Sequence, residues 1–158
     1  MIYLLSGIPG SGKSTFINMV KADNDIVISR DEIRFSMLKE NEDYFAYEKE
    51  VLQEFKRRII EASHKSSETC NIFIDATHIS KKVRKRVLSY IPHNDVFCIY
   101  FKPDIEKAIE HNNKRTGREK VPEKIIIEQA MKYEEPSFEE GFKYILEVKN
   151  ENVCLVEK

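Results

Sequence analysis

Two patterns of apolar residues alternate along the chain. Dense apolar runs occur at 1–6 (MIYLLS), 25–29 (DIVIS), 71–75 (NIFID), 95–101 (DVFCIYF) and 152–156 (NVCLV). Short runs of this kind, rich in β-branched and aromatic residues, predict strands, the first of them buried. Between them the apolar residues are spaced as one face of a helix. Helices are predicted from Lys13 to about Ala22, from Asp31 to about Lys39, over 43–67, over 80–90, over 104–114 and from Pro122 to about Tyr133. In the third, Val51, Leu52, Phe55, Ile59, Ile60 and Ala62 make an apolar stripe on a heavily charged helix, as expected of one that covers a sheet face. Asp31 would cap or open the second helix, and Pro92 follows the end of the fourth. Pro103-Asp104 and Pro122 mark the starts of the last two. Thr116–Lys120 reads as a charged turn, and Pro136 and Gly141 punctuate a loop. Strands separated by helices predict a mainly parallel sheet of about five strands with helices on both faces. The expectation is one three-layer α/β domain over residues 1–158, with ligands outside the carboxyl ends of its strands.

Composition narrows the class. A chain of 158 residues with 41% apolar and 34% charged residues suits one folded domain. Its apolar runs, such as 2–5 and 72–74, fall far short of the roughly 20 residues of a membrane span. The start, MIYLLSG, has no basic region and no small-residue cleavage site, so a cytoplasmic protein with no membrane partner is expected. Cys70, Cys98 and Cys154 lie far apart with no metal-ligand spacing; free thiols in or beside strands are expected. The net charge of −1 does not mark a nucleic-acid binder. Lys81, Lys82, Arg84, Lys85 and Arg86 form a dense basic run, which reads either as a solvated helix face or as a surface for an anionic partner.

The strongest chemical signal is Gly7-Ile8-Pro9-Gly10-Ser11-Gly12-Lys13-Ser14, preceded by a strand and followed by a helix. It fits the phosphate-loop pattern throughout. The glycines let the backbone approach phosphate, and the N–H groups of Gly10, Ser11, Gly12, Lys13, Ser14 and Thr15 would face it at the positive end of a helix. Lys13 would place its charge between the β- and γ-phosphates of a nucleoside triphosphate, and the Ser14 hydroxyl would ligate Mg²⁺. Such a loop binds a nucleotide without naming the phosphate acceptor.

Three further clusters fall at strand ends or in the lid region. Asp31, in Ser29-Arg30-Asp31-Glu32-Ile33-Arg34, is the candidate base for an acceptor hydroxyl. Arg34, one helical turn on, could hold an anionic group of that acceptor. The alternative is a capping Asp with an intrahelical Asp–Arg pair. Asp75, ending an apolar strand, is the candidate carboxylate on the Mg²⁺ side. Thr77 and His78 at the same turn are candidate acceptor contacts, although a loop histidine is also an ordinary structural residue. Arg115 and Arg118, in Asn113–Lys120, could close over the transferring phosphoryl group.

The segments GIPGSGKST, SRDEIR, DATH, NNKRTGREKVP and EEPSFEEGF occur in that order between about residues 2 and 145. Together they resemble the kinase domain of phage-type 5′-polynucleotide kinases and their close P-loop relatives. The resemblance implies a P-loop kinase fold with a small helical lid at about 111–122. It implies ATP- and Mg²⁺-dependent transfer to the 5′-hydroxyl end of DNA or RNA. Lys13 and Ser14 match the loop lysine and the Mg²⁺-binding hydroxyl. Asp31 matches the general base, and Arg34 the arginine that holds the acceptor's adjacent 3′-phosphate. Arg115 matches the lid arginine, with Arg118 as the alternative because Lys-Arg-Thr-Gly stands where the family has Lys-Arg-Gly. The chain carries no Asp-x-Asp-x-Thr motif, so no 3′-phosphatase activity is expected of it. Two other readings stay open: a kinase of a small metabolite, nucleotide sugar or antibiotic, and a nucleotide-dependent binding module.

Overall fold

The computed structural model describes residues 1–65, 70–91, 95–150 and 152–158. The dense apolar runs form strands β1 (Ile2–Ser6), β2 (Ile26–Ser29), β3 (Ile72–Asp75), β4 (Val96–Phe101) and the exposed β6 (Asn152–Leu155), with β5 (Tyr144–Lys149) between the last two. The helices are α1 (Lys13–Val20), α2 (Arg30–Met37), α3 (Glu48–Lys65), α4 (Lys81–Leu88), α5 (Ile105–Asn113) and α6 (Glu123–Met131). One sheet runs in the order β2-β3-β1-β4-β5-β6, parallel except for the antiparallel β6. The three-layer α/β architecture is therefore as expected, with six strands rather than about five.

The pleat of β1 explains the layers. Ile2 and Leu4 point to one face and join Ile28, Ile72, Ile74 and Cys98 against Ile33, Val51, Phe55, Ile59 and Val87 of α2, α3 and α4. Leu5 points to the other face and joins Phe73, Ile99 and Phe101 against Ile17 of α1. A third cluster, Ile8, Ala108 and Ile126, fastens α5 and α6 to the loop after β1. Each fully buried Leu or Ile contributes about 1.5–3 kcal/mol. All three cysteines are free, Cys98 buried in the sheet and Cys154 exposed.

Two element boundaries differ from the pattern. The helix predicted over 43–67 starts only at Glu48. Ahead of it the Asp43 side chain accepts the N–H of Phe45 at 2.9 Å, a local turn that competes with helix. The predicted end at 66–67, like Pro92, lies outside the described residues. Strand β5 has no counterpart among the predicted elements. Its sequence, YILEVK, is short and carries two charges, and its pairing to β4 through Cys98↔Ile145 and Tyr100↔Glu147 is a long-range contact that no local pattern announces.

The basic run on α4 divides. Lys82, Lys85 and Arg86 are exposed, but Arg84 is 0% exposed, so the run is neither wholly a solvated face nor wholly a surface for an anion. Its guanidinium pairs with both carboxylate oxygens of Glu140, at 2.8 and 2.9 Å, and donates to the carbonyls of His78 and Glu134, at 3.0 and 2.8 Å. Glu140 Oε1 also accepts the N–H of Ser137 at 2.9 Å. A fully buried charge pair persists only when its hydrogen bonds are satisfied in this way. Arg84→Met should cost about 3–5 kcal/mol because it strands the Glu140 carboxylate. Adding Glu140→Leu should recover much of that loss. Urea unfolding of the two single variants and the double variant checks this, and strictly additive losses would contradict it.

Candidate functional site

The loop between β1 and α1 is shaped by its neighbours. Gly10 has φ +79°, and a Cβ there would collide with the Ala108 carbonyl of α5. The Gly10 carbonyl also meets Nδ1 of His111 at 2.9 Å. Gly12 is the N-cap of α1 with φ +96° and no side-chain cap, which leaves the first N–H groups of the helix available to an anion. Lys13 is buried, and its Nζ donates to the carbonyls of Gly7 and Ile8 at 2.8 and 3.0 Å and to Ser11 Oγ at 3.3 Å. Burial pulls this ammonium down to about 8. The carboxylates of Asp75 and Asp31 oppose the shift, and the Arg115 guanidinium adds to it. Lys13 therefore feels charges from three other segments of the chain.

The Ser14 hydroxyl donates to Asp75 Oδ2 at 3.2 Å. Burial raises the Asp75 carboxyl, against the pull of Lys13 and the Ser14 bond. Among the described residues no group of three or more His, Cys, Asp or Glu is placed to hold a metal. A hydroxyl and a carboxylate side by side fit a hard cation that takes its remaining oxygens from phosphate and water, as Mg²⁺ does.

The acceptor candidates sit at the start of α2. The N-cap is Ser29, whose hydroxyl accepts the N–H of Glu32 at 3.3 Å. Asp31 therefore does not cap the helix, and its side chain is 64% exposed. Arg34, 4% exposed, donates from Nη1 to Asp31 Oδ1 at 2.6 Å and from Nη2 to Glu48 Oε2 at 2.9 Å. The Tyr44 hydroxyl also donates to Asp31 Oδ1, at 3.0 Å, and burial beside that carboxylate pushes the phenol up to about 12. Among the described residues, every hydrogen bond to the Asp31 carboxylate goes to Oδ1. Glu48 pairs with Arg30 as well. The Nε atoms of Arg30 and Arg34 are buried and find no partner among the described residues. Glu48 and Tyr44 were not singled out from sequence. Glu48 was hidden among the charges of a helix, although three aromatics in the polar segment NEDYFAYEKE are a signal that could have drawn attention to Tyr44.

The two lid arginines separate. Arg115 is half-buried and acts on Lys13. Arg118 instead crosses to α2, where it donates to the Leu38 carbonyl at 3.1 Å and lies 5.4 Å from the ring centroid of Phe35. Arg118, expected at the nucleotide phosphates, here links the 117–119 turn to the C-terminal end of α2. Asn112, 0% exposed, clasps both ends of the lid loop by exchanging hydrogen bonds with the Val121 backbone at 2.7 and 2.9 Å.

His78, expected as an acceptor contact, is a core residue instead. It is 2% exposed, has φ +42°, and its Nδ1 meets the Leu5 carbonyl at 2.6 Å. Burial pushes the imidazole down to about 4. Thr77 remains half-buried at the site edge, its carbonyl accepting the Gly7 N–H at 2.9 Å.

Comparison with known families matches residues 2–136 to AAA_33, described as an AAA domain. The chain belongs to the AAA_33 family. Solved structures agree on the fold. Pnkp1 of the Pnkp1/Rnl/Hen1 RNA repair complex superposes with a TM-score of 0.68 at 22% identity over 83% of this chain. This chain spans only 43% of that Pnkp1 chain. A gluconokinase from Sinorhizobium meliloti 1021 matches with a TM-score of 0.60 at 16% identity, covering 92% of this chain and 81% of its own. The PezAT toxin–antitoxin structure from Streptococcus pneumoniae gives 0.68 at 17% identity, covering 97% and 69%. This AAA_33 member thus has the fold of P-loop kinases, and that fold implies nucleotide binding.

The buried, neutral His78 sets a pH dependence. Its folded value of about 4 lies below the roughly 6.5 of an unfolded histidine. The unfolded chain therefore binds the proton first, and stability falls as pH drops from about 6.5 towards 4. This group contributes up to about 3 kcal/mol to that fall. His78→Asn keeps a donor for Leu5 and tolerates positive φ. It should flatten the difference between denaturant midpoints measured at pH 7 and pH 5.

Proposed function

We propose that this protein is an ATP- and Mg²⁺-dependent kinase of nucleic-acid 5′-hydroxyl ends, in DNA or RNA. The observation that carries the reading is that the phosphate loop after β1, Asp31 at the start of α2 and Asp75 at the end of β3 leave the same carboxyl edge of the sheet, with Ser14 bonded to Asp75 and, among the described residues, no hydrogen bond on Asp31 Oδ2. The likeness to Pnkp1 of an RNA repair complex supports the choice of acceptor.

In the reaction, the acceptor oxygen attacks the γ-phosphorus in line. The new O–P bond forms as the bond from phosphorus to the β,γ-bridging oxygen breaks, and ADP leaves with that electron pair. Asp31 takes the acceptor proton on Oδ2, while Arg34 and Tyr44 hold Oδ1 and fix the carboxylate's direction. Lys13 and the N–H groups that open α1 hold the β- and γ-phosphates, and Arg115 faces the charge that develops on the equatorial oxygens. Bound Mg²⁺, held by Ser14 with Asp75, would neutralise phosphate charge. Arg34 also orients the acceptor through an adjacent 3′-phosphate. The net charge of −1 provides no long-range attraction to nucleic acid, so recognition is confined to the terminal nucleotide.

One observation favours a second reading, a small-molecule hydroxyl as acceptor. Glu48 already engages Arg34 Nη2, which weakens the pull of that guanidinium on an acceptor phosphate.

Two variants test the first reading by transfer of labelled γ-phosphate to oligonucleotides. Asp31→Asn should lower kcat by about 10²–10⁴ while ATP binding is retained. Arg34→Ala should raise KM for a 3′-phosphorylated mononucleotide acceptor far more than for ATP. Equal effects on the two substrates would favour the small-molecule reading.

A further inference from the structure

Beside the candidate base lies a group of rings whose faces the phosphotransfer chemistry leaves unused. Phe35 on α2 meets Tyr44 edge-on at 6.2 Å between centroids, and Tyr44 meets Phe45 edge-on at 4.9 Å. None of the three belongs to the apolar clusters of the core among the described residues. Two rings are already faced by cations: the Arg34 guanidinium lies 4.4 Å from the Tyr44 centroid and that of Arg118 lies 5.4 Å from the Phe35 centroid. Phe45 differs, at 58% exposed, with Arg34 more distant at 6.0 Å. A phenyl ring held open to water forgoes most of the free energy its burial would supply.

We propose that Phe45, backed by Tyr44, is a stacking platform for the nucleobase of the acceptor's 5′-terminal nucleotide. This rests on the nucleic-acid kinase reading and names how that acceptor is held. The placement fits the shape of a nucleoside, whose base on C1′ and 5′-hydroxyl arm on C4′ project from the same face of one ribose, on either side of the ring oxygen. The Tyr44 hydroxyl touches Asp31 at 3.0 Å, so a hydroxyl delivered to Asp31 leaves the base beside the ring that Tyr44 supports. The chemistry fits as well. Aromatic faces stack any base, and flanking guanidinium groups attract the adjoining phosphates. Arg118 ties the lid to the same helix, so lid and platform border one acceptor space. The platform selects an acceptor by its π-face rather than by base-edge hydrogen bonds, so no base preference is expected.

The test compares two oligonucleotides identical except that one carries an abasic residue at its 5′ end. Wild type should prefer the base-bearing acceptor about tenfold or more in kcat/KM, since one stacked base is worth about 1–3 kcal/mol. The preference should reside in KM, because stacking is equal in ground and transition states. Phe45→Ala should bring the ratio close to one, and Phe45→Trp should keep it. Moving the abasic residue several nucleotides inward should abolish the difference in wild type. An active wild type whose preference survives in Phe45→Ala overturns the platform and leaves the kinase reading standing. Equal losses of kcat on both acceptors in Phe45→Ala would also overturn it, since that marks a structural role. A wild type that labels neither oligonucleotide overturns both.

Discussion

The register of three parallel strands governs everything at this site. β1 pairs with β3 through Leu4↔Ile74, and β3 pairs with β2 through Ser29↔Asp75. The carboxyl ends of these strands therefore stand level, and the segments that follow them emerge side by side. The phosphate loop, α2 with Asp31, and Asp75 come from distant parts of the chain, yet the ladder delivers them to one edge. A parallel sheet concentrates loop chemistry at its carboxyl edge for this reason. A slip by one residue would turn Asp75 to the opposite face and separate it from Ser14.

Charge is distributed by the surroundings of each side chain rather than by its identity. Arg84, completely buried, locks Glu140 and the carbonyls of His78 and Glu134 together. It thereby fixes the turn that follows Asp75 against the segment that follows α6. Arg34 orients one carboxylate oxygen and is held in turn by Glu48. Arg118 ties the 117–119 turn to the end of α2, whereas the Arg115 guanidinium bears on Lys13. Ser29 matters here through what it spares. By capping α2 it leaves the Asp31 carboxylate free for another role.

Much of this was legible in the sequence, because the relevant signals are local. A phosphate loop is a contiguous run between a strand and a helix, and β1 to β4 are dense apolar runs whose burial follows from composition alone. Cys98 in the sheet and the separation of strands by helices belong to the same class of signal. The start of α3 was misjudged because a single side-chain contact, Asp43 to the Phe45 N–H, outweighs helical periodicity there. Strand β5 was missed because its stability comes from pairing with β4, a contact across the chain.

The sequence by itself determined the fold class, the phosphate loop and the candidate carboxylates Asp31 and Asp75, since each depends on residue type and short-range spacing. Tertiary structure alone decided which side chains meet. It removed His78 to the core, buried Arg84 within a run of exposed cations, separated Arg115 from Arg118, and placed Glu48 and Tyr44 on the acceptor side. The physical reason is that solvation and pairing set the role of a charged or polar side chain, and both are properties of neighbours that lie tens of residues away along the chain.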